Sequence, residues 1–295
     1  MSLKCIYNSI VLHRWDIGFV ENSIDGILRG DILKVKYVKY PFKGRWYADP
    51  FILDYDEENI VLLVEDYSDF DKKGKISKLV INRNTMQLKD VKIILELDSH
   101  LSFPAIIRKG GEIFIYPENS SGKGLVLYEY NTETDTCKEV RTISKEPFTD
   151  AIISTYWGKQ QLFSTRGEGA NKNVLEVFDY QEDIEKWRKS SEMVFNESIA
   201  RNAGDFFEYQ GTMYRAAQEC DYTYGHALSI QRITNEHGKV KMQEVRRIPA
   251  PDGALGIHTF NVYRDLIVVD TKVFRHPWIA APLFKLRNLF KKNAR

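Results

Sequence analysis

Asp49-Pro50-Phe51-Ile52-Leu53, a polar turn over 54–59, and Ile60-Val61-Leu62-Leu63-Val64-Glu65 form the stretch that decides the fold. Two apolar runs of strand length flank a turn rich in Asp, Glu and Asn, and the second run stops on a carboxylate. That pattern reads as a hairpin and not as a helix. A further run, Ile76 to Ile81, follows Lys73-Gly74.

The same order of runs and turns returns downstream. Phe103 to Ile107, the turn at Lys109 to Gly111, Ile113 to Glu118 and Leu125 to Tyr130 repeat it; so do Asp150 to Ile153, Gln161 to Arg166 and Val174 to Phe178. A fourth copy runs Gly204 to Phe207, Met213 to Glu219 and Ala227 to Ile233, and a shorter fifth runs Ile257 to Val262 and Leu266 to Asp270. Starts near 49, 103, 150, 204 and 257 give a period of roughly 46 to 55 residues, the length of a four-stranded propeller blade. The expectation is an all-β, five-bladed β-propeller over residues 1–270, with 1–45, including Ile6 to Leu12 and Ile32 to Tyr40, supplying the strands that close the last blade and remove sheet edges. A βαβ fold would need long amphipathic helices between strands. Only Gln181 to Ser191 offers a short candidate, taken here as an inter-blade excursion.

Forty-two Lys plus Arg against 41 Asp plus Glu leave a formal charge of +1, so no global field points to nucleic acid. The short apolar run around Ile10 to Leu12 is far below the length of a secretory core or a membrane span, and the expected setting is cytoplasmic. Cys5, Cys137 and Cys220 are odd in number and widely spaced, and the six histidines show no paired spacing. Neither a disulfide framework nor a metal site is expected, and no cofactor. Asp54-Tyr-Asp56 and Asp69-Phe-Asp71 spell a DxD pattern but sit in turns and read as solvated loops.

Inner strands of a propeller line the axis, so residues at one end of them converge although some fifty residues separate them. The repeat nominates Asp49, Ser102 to Pro104, Asp150, Asp205 and His258. Carboxylates held together in a partly desolvated channel push their proton affinities apart, leaving one a donor and another a base. Asp residues that cap turns would serve structure alone. A second ring comes from the ends of the adjacent strands: Glu65-Asp66, Glu118-Asn119, Arg166, Gln218-Glu219 and Asp270, with Glu219 favoured because a run of polar and aromatic residues follows it. Arg201 and Arg215 offer planar forks to a phosphate or carboxylate, or serve as ion-pair partners. Trp46 and Tyr224 stand among aromatics suited to stacking on sugar faces.

From Lys272 to Arg295 there are seven Lys or Arg and no acid, with Leu283, Phe284, Leu286, Leu289 and Phe290 at helix-compatible spacing. Residues 271–295 are expected to form a basic amphipathic helix that meets an anionic membrane surface, or else a helix docked under the ring.

Trp46-Tyr-Ala-Asp-Pro-Phe51, Ser102-Phe-Pro-Ala105, Tyr116-Pro-Glu-Asn119, Asp150-Ala151, Arg201-Asn-Ala-Gly-Asp205, Tyr214-Arg-Ala-Ala-Gln-Glu-Cys220 and Tyr224-Gly225 resemble the N-terminal domain of glucosamine inositolphosphorylceramide transferases and its stand-alone bacterial relatives, over about residues 40 to 265. More distantly the chain resembles five-bladed arabinanase, xylosidase and invertase-like glycoside hydrolases. That resemblance implies Asp49 as base or nucleophile, Glu219 as acid and Asp150 as the modulating carboxylate. Glu118, Arg201, Asp205, Arg215, Gln218, Tyr224, Trp46 and His258 would then bind substrate.

Hydrolysis and transfer both need paired carboxylates. The cytoplasmic setting and the basic tail favour a glycosyltransferase that assembles a lipid-linked surface polysaccharide, with a sugar or nucleotide sugar as substrate and a lipid-linked glycan as acceptor. A glycoside hydrolase is the second reading, and a non-catalytic glycan-binding propeller the third.

Overall fold

The computed structural model describes residues 12–41, 44–236, 239–276 and 278–283. Within them the chain forms five four-stranded antiparallel sheets. Blade one contains β3 (Arg45–Tyr55), β4 (Asn59–Ser68), β5 (Lys73–Asn82) and β6 (Leu88–Leu95). Blade two contains β7 (Ser102–Lys109), β8 (Glu112–Glu118), β9 (Leu125–Asn131) and β10 (Thr136–Ser144). Blade three is built from β11 (Phe148–Ser154), β12 (Gln161–Arg166), β13 (Val174–Gln181) and β14 (Lys186–Val194). Blade four has β15 (Phe207–Tyr209), β16 (Thr212–Glu219), β17 (Ala227–Glu236) and β18 (Lys239–Pro249). Blade five joins the chain ends: β19 (Gly256–Tyr263) and β20 (Leu266–Phe274) pair with β1 (His13–Val20), which pairs with β2 (Val35–Tyr37).

The five-blade reading of the repeat holds, and the ring closes through the N-terminal strands as expected. The β1–β20 ladder runs from His13↔Phe274 to Phe19↔Val268, so the ring has no free edge at this junction. Its position differs in detail: the closing strands are 13–20 and 35–37, and the stretch Ile6 to Val11 lies outside the described residues. Between them α1 (Ile24–Arg29) is capped by the Ser23 hydroxyl, which accepts from Gly26 N–H at 3.1 Å. Gln181 to Ser191 is corrected: it is the hairpin into the outer strand β14, paired with β13 from Val174↔Val194 to Gln181↔Lys186. Its polar residues lie on an outermost strand that is exposed along most of its length, with Trp187 and Met193 partly buried.

Apolar side chains pack between blades. Phe51, Leu63, Phe103, Ile115 and Ile152 fill the wedge across blades one to three, and Ala216, Ile230, Phe260 and Val269 the wedge between four and five. The two-residue hairpin at Gly110-Gly111 takes positive φ at both positions (61° and 88°), the geometry that matches the strand twist. After β20 the chain forms a short helix over 278–283; residues 284–295 of the anticipated basic helix lie outside the described residues.

Candidate functional site

Four of the five inner strands break their ladders near their starts. Register slips between Ala48 and Phe51, Ser102 and Ala105, Thr149 and Ile152, and Ile257 and Thr259 mark a β-bulge at equivalent positions in four blades. Asp49, Phe103 and Asp150 adopt positive φ there (48°, 46° and 45°). A bulge releases backbone N–H groups from the ladder, and each must find another acceptor. Side chains of the next blade supply them. Asp49 N–H donates to Asp270 Oδ2 (2.9 Å), Phe103 N–H to Asp49 Oδ2 (3.1 Å) and Asp150 N–H to Glu118 Oε2 (2.9 Å). Asn202 Nδ2 donates to the Asp150 carbonyl (2.7 Å), Asp205 N–H to Asn261 Oδ1 (2.7 Å) and Asn261 Nδ2 to the Pro50 carbonyl (2.8 Å). All five blade junctions are thus tied at the axis by polar side chains.

These ties concentrate carboxyl groups in one buried place. His258 Nδ1 lies 2.6 Å from Asp270 Oδ1 and its Nε2 3.3 Å from Asp49 Oδ1, with its ring stacked on Trp15 at 3.7 Å. Gly225, at φ 65°, is required for this closure: a Cβ there would stand 2.7 Å from the His258 Cβ and 2.9 Å from Trp15. Asp150 Oδ2 accepts from Arg201 Nε (2.5 Å) and Gln218 Nε2 (2.7 Å), and the Arg201 guanidinium lies 4.9 Å over the Tyr224 ring. Glu65 completes the cluster, 3.4 Å from His100 Nε2. His100 Nδ1 accepts from Gly74 N–H, so its proton sits on Nε2 and faces Glu65.

Burial acts on these groups in opposite directions according to their partners. It pushes the Asp49 carboxyl up to about 7, against the pull of His258 and with the push of Asp150 and Asp270. Burial, reinforced by Asp150, raises Glu118 to about 8. Glu65 is driven well above the carboxylate range by burial and by Asp49, Glu118 and Asp270. For His258 burial is outweighed by Asp270 and Asp49, which raise it, and Asp270 is lowered in turn because His258 outweighs its own burial. The cluster therefore gathers carboxyl groups of raised proton affinity around the His258–Asp270 pair.

Asp49, Glu118, Asp150, Arg201, Gln218, Tyr224 and His258 are brought together. Trp46 stands at the same end, stacked on Tyr67 at 4.6 Å, its indole N–H buried without a partner. Three expected residues are placed otherwise. Asp205 turns away: its Oδ1 accepts from Phe206 N–H (2.8 Å), its charged neighbour is Arg108, it acts in turn on Tyr116, and burial raises it to about 6. The bridge Asn202↔Ala217 makes Ala203 the blade-four counterpart of Asp49, and the bulge that follows, through Gly204-Asp205, is one residue longer than in blade one. Arg215 is wholly buried in blade four, donating to Asn202 Oδ1 (2.7 Å), Gln231 Oε1 (2.7 Å) and the carbonyls of Ile199 and Ala200. Glu219 accepts from Asp221 N–H (2.7 Å) and faces His226 at 4.0 Å, turned to its own hairpin. Glu65 and Asp270 belonged to the second ring read from the sequence but were not singled out; Trp15 and His100 carried no repeat signal.

Asp49, His258 and Asp270 each offer one metal-ligand atom within 4.8 Å of the others. Both imidazole nitrogens already face carboxylates and Asp270 Oδ1 also accepts from Thr259 N–H (3.1 Å), so a cation would have to displace these bonds. A separate concavity of about 690 Å³ at the opposite end of the ring is lined by Arg108, Lys109, Tyr130, Tyr263 and Arg264 among others.

Residues 33–280 match the family described as glucosamine inositolphosphorylceramide transferase 1, N-terminal. The chain belongs to that family. It is 28% identical over 211 residues to the glucosamine inositolphosphorylceramide transferase 1 of Arabidopsis thaliana, covering 69% of this chain and 27% of the relative. The protein of that name from Oryza sativa subsp. japonica is 27% identical over 164 residues, covering 53% and 22%. The chain thus spans about a quarter of the length of these family members. Similar solved structures include an α-L-arabinofuranosidase from Podospora anserina in complex with cellotriose (TM-score 0.57, 8% identity, 74% of this chain and 77% of that one). The exo-β-1,3-galactanase from Phanerochaete chrysosporium gives 0.54 at 8% identity over 72% and 53%, and a family 117 glycoside hydrolase from Zobellia galactanivorans 0.53 at 8% over 89% and 90%. At that identity the likeness is one of fold.

Proposed function

We propose that the protein is a carbohydrate-active enzyme that moves a glycosyl unit bound in the axial pocket to an acceptor hydroxyl. The observation that carries this reading is the gathering, in one buried cluster at the axis, of carboxyl groups whose proton affinity is raised, Asp49 and Glu118 among them, around the His258–Asp270 pair. Glu118, at about 8, is protonated at neutral pH and can donate to the departing glycosidic oxygen; Asp49, at about 7 and fixed by His258, can take the proton of the incoming hydroxyl. In that step the bond from the anomeric carbon to the leaving oxygen breaks, the acceptor oxygen forms the new bond, and the two protons pass to the leaving oxygen and to Asp49. Gln218 Oε1 is buried without a partner while its Nε2 holds Asp150 and the Asn202 carbonyl, so the amide orientation is fixed and the free acceptor suits a sugar hydroxyl.

Glycoside hydrolysis is the second reading, and the protonated Glu118 favours it: a sugar leaving group needs an acid, a nucleoside diphosphate does not. Transfer is preferred because the family relatives are named transferases. We further place the work at the cytoplasmic face of a membrane, in assembly of a lipid-linked glycan, on the strength of the basic tail. The inter-blade ties support a purely structural role for the same carboxyl groups. Turnover of nucleotide sugars and aryl glycosides by the wild type and by Asp49→Asn separates these: loss in the variant with the fold intact supports catalysis, and a wild type inert to every donor and acceptor supports the structural role.

A further inference from the structure

Exposed aromatic residues at the pocket end of the ring gather on one arc, while the exposed aliphatic Val194 lies off it on the outer strand of blade three. Second strands of the blades finish where the inner strands begin, so the hairpins after β4, β8, β12 and β16 and the chain after β20 surround the pocket mouth. On blades four, five and one, which are consecutive around the ring, this rim carries Tyr222 (81% exposed), Trp278 (92%), Ile279 (59%) and Phe70 (82%). On blades two and three the corresponding segments, Asn119 to Gly124 and Gly167 to Asn173, hold no large apolar residue.

The arc is held in place. Arg275 donates to both carboxylate oxygens of Asp69 (2.6 and 2.5 Å) and to the His13 carbonyl (2.9 Å), which clamps the segment bearing Trp278 to the hairpin bearing Phe70. Ala280 packs inward against Phe274 with Leu255, leaving Trp278 and Ile279 directed to solvent. Aromatic groups presented this way mark a contact surface. The chemistry of the partner follows from charge: in the sequence, residues 284–295, which come directly after the helix bearing Trp278, contain Lys285, Arg287, Lys291, Lys292 and Arg295 and no acid.

We propose that this rim docks on an anionic lipid bilayer, with the pocket mouth turned toward the membrane surface. Cations gain energy near anionic headgroups, while Trp, Tyr and Phe are favoured at the interface between headgroups and acyl chains. The docking rests on the rim and the charge; its use, delivery of a lipid-linked sugar to the pocket, rests on the function proposed above.

The test is co-sedimentation of the full chain with phosphatidylcholine vesicles with and without phosphatidylglycerol. The wild type is expected to sediment with the anionic vesicles and to be released by salt, and its tryptophan emission to shift to the blue. Phe70→Ser with Trp278→Ser should weaken binding at least about tenfold with an unchanged Tm, and Trp278→Phe should bind but lose most of the spectral shift. Wild-type binding by the double serine variant would overturn the proposal, leaving the tail alone as the anchor. So would a wild type that ignores vesicles, whether the rim is covered by the tail or by a second copy, the latter seen as a dimer that the double variant dissociates. Turnover of a small soluble glycoside should be equal in wild type and double variant; its absence in both, with docking intact, would count against the proposed chemistry and not against the surface.

Discussion

Replacing Glu118 by Gln should make the protein more stable in alkaline solution and inactive. The structure raises this carboxyl from its ordinary 4.5 to about 8, chiefly by burial and the Asp150 carboxylate. A group raised on folding contributes stability that is fully present below about 4.5 and is lost as pH climbs through about 8. At 1.36 kcal/mol for each tenfold in proton affinity the ceiling is ~5 kcal/mol. Glu118 is only partly buried, and screening by solvent takes up more than half, leaving ~2 kcal/mol. Gln keeps the shape of the neutral acid, and its Oε1 can still accept the Asp150 N–H that now bonds Oε2 at 2.9 Å. Urea denaturation at pH 5, 6, 7 and 8 at constant ionic strength should show the two proteins matched near pH 5 and the variant ahead by ~2 kcal/mol at pH 8, a gain of about 4–8 °C in Tm. Parallel pH profiles, or a variant weaker at pH 8, would refute the claim that the pocket holds Glu118 protonated.

Asp49→Asn should abolish turnover and stay within ~1 kcal/mol of wild-type stability, because Asn tolerates the φ of 48° and can still accept the Phe103 N–H; a variant that retains activity removes Asp49 from the mechanism. For the wild type, kcat/KM should rise with pH through about 7 as Asp49 ionises and fall above about 8 as Glu118 does, whereas a flat profile between pH 6 and 9 contradicts the acid–base pair. Gly225→Ala should cost ~2–4 kcal/mol, since the new Cβ meets His258 at 2.7 Å in a left-handed backbone, and denaturation of the variant within ~0.5 kcal/mol of wild type would show that the turn can yield.

Blade number was legible because each copy pairs apolar strands with a turn at a period that matches a four-stranded blade, and the closing strands followed from the need to cover an edge. The candidate site was legible where the repeat copies align residue for residue: Asp49 and Asp150 fall on the same bulge of blades one and three. It failed where alignment slips. The bulge of blade four is one residue longer than that of blade one and Ala203, not Asp205, follows the last bridge before it, and nothing in the composition of Gly204-Asp205 signals the difference. Arg215 and Gln218 lie an odd number of residues apart on β16, so alternation sends them to opposite sides of the strand, one into the wedge and one to Asp150. Trp15 and His100 reach the pocket from the closing strand and an inter-blade connection, outside the repeat altogether.

A crystal structure of the Glu118→Gln protein soaked with those sugars and nucleotide sugars that raise its Tm bears most directly on the axial pocket as the place of chemistry. The account predicts a glycosyl unit in that pocket, with a hydroxyl on Gln218 Oε1, the Asp49 carboxylate beside the reacting centre and the glycosidic oxygen at residue 118. A sugar seated instead in the opposite concavity against Arg108, Tyr263 and Arg264, with the axial pocket holding only water, would contradict it.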